Sequence, residues 1–555
     1  MDISVRVAGE AGQGIETIGG LLTRAFASMG LYVFTTETYM SRIRGGLNWM
    51  DIRIADHELW SARERPNLLV VLAPKGLDFL RAGLGMCDMV LYNGEPRPGV
   101  IAMDFSAIAK ELTGAAVMAN AVAAGAVMAL LGYDPETLRP HLERQFGRKG
   151  AEVVEGNMRC ARRGAERSEP YLGGLLAPRP AGAPETVYSG ADAVALGAAT
   201  AGVKLVTSYP MTPSTGVFTA LARMADEYGI LVEQAEDEIA AINMVCGATY
   251  AGVPAMTTTS GGGFALMVEG MALAGMLELP AFVMLGQRPG PATGLPTRTG
   301  QSELRFALHA GHGEFAKAVF APGAPEQAYR LTRRALEIAH RFQTPVILLT
   351  DQFLADMRRN GLPLDATPRH INRHVLLDPP AGYLRYQVTP SGVSPRALPG
   401  SAAYVVVDSD EHTEDGHITE DLEARVRLQD KRMRKLDGMV AEAGPPEWYG
   451  LRPAEHLLVC WGSTYGPCRE AVDLLAAEGR GAAMLHFAQV WPLDAAAVRA
   501  MLAEGGVRRV TVVEGNATGQ FGSVLREVGV LGGYELVTRY DGLPFTGEEI
   551  ARRVG

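Results

Sequence analysis

The sequence predicts an α/β protein built from three α/β units in succession. Three observations support that expectation. Short apolar runs such as NLLVVLA (67–73), PAFVMLG (280–286) and TPVILLTD (344–351) recur along the chain, at the length of buried parallel strands. Such runs lead into polar or Gly-rich turns and then into helical spacing, the alternation that builds parallel sheets. Hydrophobic residues make up 47% of 555 residues, a globular composition with room for three or four cores.

The first unit opens on strand, Gly-rich turn and helix across ISVRVAGEAGQGIETIGGLLTRAFASMG (3–30). LYVFTTETY (31–39), NWMDIRIAD (48–56), 67–73 and DMVLYNG (88–94) follow as strands. This unit is assigned residues 1–172, and GGLLAPRPAGAPE (173–185) has the composition of a linker. The second unit, 186–357, places strands at VKLVTS, GILVEQ, PAMTTTS, PAFVMLG and TPVILLTD. Residues 358–445 form a connecting segment, proline-rich at first and then charged, whose second half reads as a solvated helix. The third unit, 446–555, has strands at HLLVCW, AAMLHF and RVTVVEG.

Bulk chemistry removes several function classes. The chain has 52 basic and 62 acidic residues, a formal net charge of −10, and no stripe of Lys or Arg that would track a phosphate backbone, so nucleic acid is not an expected partner. No apolar run is long enough to span a bilayer and the first residues are not a signal peptide, so a soluble, cytoplasmic protein is expected. The five cysteines, Cys87, Cys160, Cys246, Cys460 and Cys468, form no C-x-x-C pair. No disulfide framework, metal site or iron–sulfur cluster is therefore expected on this chain.

Parallel sheets bind ligands beyond the carboxyl ends of their strands. In the second unit those ends carry YPMTPST, EQAEDE, TTTSGGG and GQRPG. Pro210 and Pro213 stiffen the first loop and fix Thr212, while Ser214 or Thr215 can cap the helix that follows. Glu236, Asp237 and Glu238 lie at a helix start, where acids suit the helix dipole and are also well placed to meet a cofactor nitrogen. Gly261 to Gly263, between a strand and a helix, let a ligand approach backbone N–H groups. Arg288 and Arg298 stand in a loop nearly free of other charge, suited to a carboxylate. In the first unit Gly9, Gly12 and Gly14 do not fit G-x-G-x-x-G, and Arg42 and Arg44 precede Gly45 and Gly46.

YPMTPST resembles the Y-P-I-T-P-S-S signature of the 2-oxoacid:ferredoxin oxidoreductases. QAEDEIAAINMVCGATYAG, TTTSGGGFALMVEG, PGPATGLPTRTGQSEL and SDEHTEDGHITED…DKRMRKL resemble, in order, the α subunit of the 2-oxoglutarate and broad 2-oxoacid branch. GEAGQGI followed by RGG resembles that family's γ domain, fused ahead of α, and VVEGNATGQFG resembles a transketolase C-terminal-like domain.

The resemblance implies a thiamine diphosphate pyrimidine-binding-type domain at 186–357. It implies oxidative decarboxylation of a 2-oxoacid, with 2-oxoglutarate favoured, by CoA and ferredoxin. It also implies thiamine diphosphate shared with a separate β subunit, which carries the Mg2+ and the iron–sulfur cluster, in an αβ or α2β2 assembly. Residue by residue, Glu238 is implied as the acid–base partner of the cofactor's aminopyrimidine, with Glu236 as fallback. Thr212 and Arg288 are implied as substrate ligands, and Arg298 as an alternative or a distal-carboxylate ligand. Tyr209, Pro210, Ser260 and Gly261 are implied to line the cofactor. Gly12, Gly14, Arg42 and Arg44 are implied to bind CoA. A non-redox thiamine enzyme subunit and a non-catalytic scaffold are the alternative readings.

Overall fold

The computed structural model describes the chain except for residues 41–45, 74–75, 78–86 and 176. The chain folds into two compact units, one of Met1–Tyr188 with Met357–Pro363 and Thr546–Glu549, the other of the remainder.

The first unit is built on a mixed sheet of eight strands among the described residues. Asp2–Glu10 lies in its middle, parallel to Leu68–Val71 and antiparallel to Leu47–Ala55. The run Val5, Val7 and Ala8 is fully buried because helices cover the sheet. Two of these helices, Ala119–Leu130 and Ala151–Ser168, approach closely enough to require glycine. A Cβ on Gly125 or Gly164 would overlap the carbonyl of Ala161 or Val122. Arg6 and Asp51 pair inside the sheet at 2.6 Å. The end of the expected linker 173–185 is tied to this unit: Ala181 and Ala183 both donate to the Gly30 carbonyl, at 2.9 and 3.0 Å.

The second unit holds two further sheets. The larger has seven strands, in the order Gln489–Trp491, Ala318–Phe320, Val346–Asp351, Phe282–Gln287, Ala255–Ser260, Leu205–Ser208 and Leu231–Gln234. All but the first are parallel. The smaller orders Glu447–Gly450, Ala482–Phe487, His456–Trp461, Arg509–Glu514 and Glu535–Thr538. The α/β class is therefore as expected. Three short strands, Ala318–Phe320, Glu447–Gly450 and Gln489–Trp491, escape periodicity because three or four residues carry almost no pattern.

The charged helix of the connecting segment, Leu422–Ala441, corrects one expectation. It is not a solvated helix on every face: Lys431, Arg432 and Lys435 are buried. Lys431 and Lys435 each reach one oxygen of the buried Glu278, at 2.6 Å. Burial would raise the Glu278 carboxyl, but Lys431, Lys435 and Arg385 outweigh it and hold the group well below its ordinary range.

Candidate active site

The carboxyl ends of four adjacent strands of the seven-stranded sheet deliver the predicted rim. After Ser208 the chain passes Tyr209, which is 42% exposed, and turns through a cis Thr212–Pro213 bond into the helix Thr215–Tyr228. Neither expected cap forms there. Ser214 Oγ instead donates to the Met211 carbonyl at 2.7 Å, closing the loop on itself. Arg288, at the exit of Phe282–Gln287, donates Nη1 to the Thr212 carbonyl at 2.7 Å, so Thr212 and Arg288 are brought together. Arg298 goes elsewhere, against Gly542 and in the field of Asp541.

The three acids of EQAEDE separate on folding. Glu236 is exposed, Asp237 is the N-cap of Glu238–Tyr250 and accepts from Ala240 N at 2.7 Å, and Glu238 is buried at 3% exposure. Gly261 to Gly263 form the first turn of the helix Gly261–Met276, not a loop before it. A Cβ on Gly263 would overlap both the Glu238 carboxylate and the Thr259 hydroxyl, so this glycine is what leaves room for the carboxylate. Glu238 Oε1, Ser260 Oγ and Thr257 Oγ1 are buried and have no hydrogen-bond partner within the chain. Buried polar atoms are normally satisfied; Thr257 lies within the strand Ala255–Ser260, whereas Ser260 at its end and Glu238 at the start of the helix Glu238–Tyr250 lie where a polar ligand supplies missing partners.

Two further acids, not singled out from sequence, complete the rim. Glu303 lies over the start of the Gly261 helix, where a Cβ on Gly261 would sit 3.0 Å from its Oε1. Its Oε2 is buried and unpartnered, and its backbone N–H donates to Gln287 Oε1 at 3.1 Å. Burial pushes its carboxyl up to about 7 against the opposing hydrogen bond from Ser302 and the charge of Arg288. Asp351, at the exit of Val346–Asp351, is pushed up to about 6 by burial, against hydrogen bonds that include the Ser463 hydroxyl. Both positions fall inside stretches of ordinary composition, so only the fold exposes them.

Gln301 anchors the Arg288–Glu303 loop to the smaller sheet. Its N–H and its side-chain carbonyl bond Gly515 O and Gly515 N, both at 2.8 Å, and Nε2 donates to Trp461 O at 2.9 Å.

In the first unit a cleft of about 380 Å3 is lined by Gly12, Gly14, Ile15, Glu37, Tyr39 and Trp49, among others. Gly14, in the left-handed region at φ 81°, is the N-cap of the helix Ile15–Ser28. Arg42 and Arg44 lie outside the described residues. Among the described residues no helix is long and apolar enough to cross a membrane.

Comparison with known proteins matches these features to named ones. Residues 196–431 match the profile "Pyruvate flavodoxin/ferredoxin oxidoreductase, thiamine diP-bdg". Residues 4–167 match "Pyruvate ferredoxin/flavodoxin oxidoreductase", and 452–535 match "Transketolase, C-terminal domain". The rim of the seven-stranded sheet thus belongs to a thiamine diphosphate-binding domain.

The alpha subunits of 2-oxoacid:ferredoxin oxidoreductases 2 and 1 of Aeropyrum pernix are 31% and 32% identical to this chain. The alignments cover 100% and 94% of it and 97% and 92% of theirs. A structure of 2-oxoglutarate:ferredoxin oxidoreductase from Magnetococcus marinus, with 2-oxoglutarate, coenzyme A and succinyl-CoA bound, superposes with a TM-score of 0.93 at 32% identity. It covers 100% of this chain and 99% of that one. The chain belongs to the 2-oxoacid:ferredoxin oxidoreductase family, like the alpha subunits it matches over nearly its whole length.

Proposed function

We propose that this chain, with a β subunit, converts 2-oxoglutarate, CoA and oxidised ferredoxin to succinyl-CoA, CO2 and reduced ferredoxin in the cytoplasm. Residues 1–172 serve as the γ domain, 186–357 as the pyrimidine-binding domain and 446–555 as the transketolase C-terminal-like domain. The observation that carries the reading is Glu238: a buried carboxylate, at a strand exit, with an oxygen that nothing in the chain satisfies. When bound, thiamine diphosphate supplies the carbon nucleophile for the 2-oxo carbon and takes up the electron pair left by CO2.

Glu238 would hold the cofactor's aminopyrimidine ring and exchange a proton with a ring nitrogen through Oε1. Tyr209, Pro210, Ser260 and Gly261 would line the same ring. The exposed Glu236 is the poorer choice for this role, because water competes for its carboxylate. Thr212 is held between two prolines with its carbonyl fixed by Arg288, so its hydroxyl can meet the substrate's carbonyl or carboxylate without reorganising. Arg288 would pair with the 2-oxoacid carboxylate. Arg298 packs against Gly542 in the field of Asp541 and is the weaker choice for a substrate carboxylate.

The Gly12–Gly14 cleft is the proposed CoA contact of the γ domain, and Arg42 and Arg44, outside the described residues, are proposed to bind CoA from the sequence alone. The five cysteines are spread over the chain, and four are buried. With no C-x-x-C pair among them, the iron–sulfur cluster is assigned to the β subunit, and Mg2+ and the diphosphate site are assigned there from the resemblance alone.

The test is expression of the chain with and without its β subunit. The pair should reduce viologen when given 2-oxoglutarate and CoA, and the chain alone should not. Turnover by the isolated chain, or a pair that requires no 2-oxoacid, overturns the proposal.

A further inference from the structure

From residue 361 to residue 421 the chain has no helix or strand, only the isolated bridges Val375↔Arg396 and His412↔Ile418. So long an irregular segment needs fixing by something other than ladders. Part of the fixing is direct. Leu376 N donates to Arg396 O at 2.8 Å, Gln343 Nε2 to Ser394 O at 2.6 Å, and Arg385 Nη1 to Gln343 Oε1 at 3.0 Å.

The side chain of Arg396 is the exception. It is 3% exposed, and its Nε, Nη1 and Nη2 are all buried without a hydrogen-bond partner. His340, on the helix Pro325–Phe342, is 0% exposed, and neither ring nitrogen completes a hydrogen bond, although the Arg373 backbone approaches it. Arg396 is the charge that acts most strongly on His340, followed by Arg373 and His374. Arg385 and Arg373 add to the positive field at Arg396 itself. A buried guanidinium whose donors have no acceptor is strongly disfavoured, and further cations beside it raise the cost.

We propose that Arg396 and His340 form a buried site for a small inorganic anion of chloride's size, which pins the irregular 364–405 segment to the helix Pro325–Phe342. The guanidinium supplies the charge and the N–H donors, and His340 walls the site beside it. Both side chains are closed to solvent, which leaves no passage for an organic acid.

The test uses the full chain, assembled with its β subunit, in sodium gluconate buffers in which chloride or bromide replaces gluconate at constant ionic strength. Unfolding should shift upward and saturate with halide, by a few °C at about a hundredfold excess over Kd. Arg396→Met should remove that dependence, and Arg396→Lys should weaken the half-saturation point. Crystals grown in bromide should show an anomalous peak between Arg396 and His340. A wild type whose unfolding ignores halide, an Arg396→Met variant with undiminished halide dependence, or bromide crystals without the peak would each overturn the proposal. The diffraction result stands even if neither variant folds.

Discussion

Glu236, Asp237 and Glu238 are neighbours in sequence, yet one faces water, one caps a helix and one is buried against Gly263. Their proposed functional difference is a difference of environment, and Glu238→Gln tests it with almost no change of shape. The variant should still assemble and bind thiamine diphosphate, because an amide can hydrogen-bond a ring. It should lose about 10²- to 10⁴-fold in kcat, because an amide cannot exchange the proton. Cofactor titration by fluorescence and viologen reduction separate the two effects, and near-normal turnover would remove Glu238 from the chemistry.

Glu303 makes a prediction about pH. Its carboxyl is raised from 4.5 to about 7 in the folded protein, so the native state holds its proton longer than the unfolded chain does. The stability this contributes is complete below about pH 4.5 and is lost as pH rises through about 7. Asp351 acts in the same direction over a lower window, ending near 6. Glu303→Gln should therefore flatten the fall in Tm between pH 5 and 8. At pH 8 it should be more stable than wild type, by at most about 3 kcal/mol. An unchanged pH slope would show that the carboxyl is ionised throughout.

At the scale of elements, Gly263 couples a helix to a side chain on its neighbour. Gly263→Ala improves intrinsic helix propensity yet forces the new methyl into the Glu238 carboxylate. Thiamine diphosphate affinity should fall at least tenfold while far-UV circular dichroism stays unchanged. Wild-type affinity would mean that the carboxylate has other room.

The helix Leu422–Ala441 gives a second case. Glu278→Gln would strand two buried ammonium groups and should destabilise by about 3–5 kcal/mol in chemical denaturation. Lys431→Met should cost less, because Lys435 still pairs with Glu278. Equal effects would mean that the two lysines act as one unit. Sequence could not reveal this burial: DKRMRKL has the composition of a surface, and its counter-ion lies 153 residues away.

At the scale of the molecule, the parallel strands and their order of ligand-bearing exits were legible, because buried strands leave apolar runs and exits leave Gly, Pro and hydroxyls. YPMTPST and TTTSGGG could be read in that way. Glu303, Asp351 and the clamp at Gln301 could not, since each becomes special only through partners far away in the chain. One hydrophobic core runs from Phe264, Val283 and Leu285 to Trp461, Phe487 and Phe521, across both sheets of the second unit. The two sheets should therefore unfold together. Scanning calorimetry should give one transition for them, and a fragment ending near residue 445 should fail to fold. A fragment 189–445 with native-like, cooperative melting would contradict that.

The strand Gln489–Trp491 closes the edge of the seven-stranded sheet against Ala318–Phe320. It leaves the ribosome about 170 residues after its partner, which at 5–20 residues per second is a delay of roughly 10 to 30 s. Throughout that interval the emerging strands cannot complete their fold, and their unpaired backbone is the template on which neighbouring chains on a polysome would pair wrongly. Synthesis speed is thus part of this protein's folding problem. Codon choice downstream of residue 320, and chaperones that shield growing chains, should affect its yield more than any change to the finished surface.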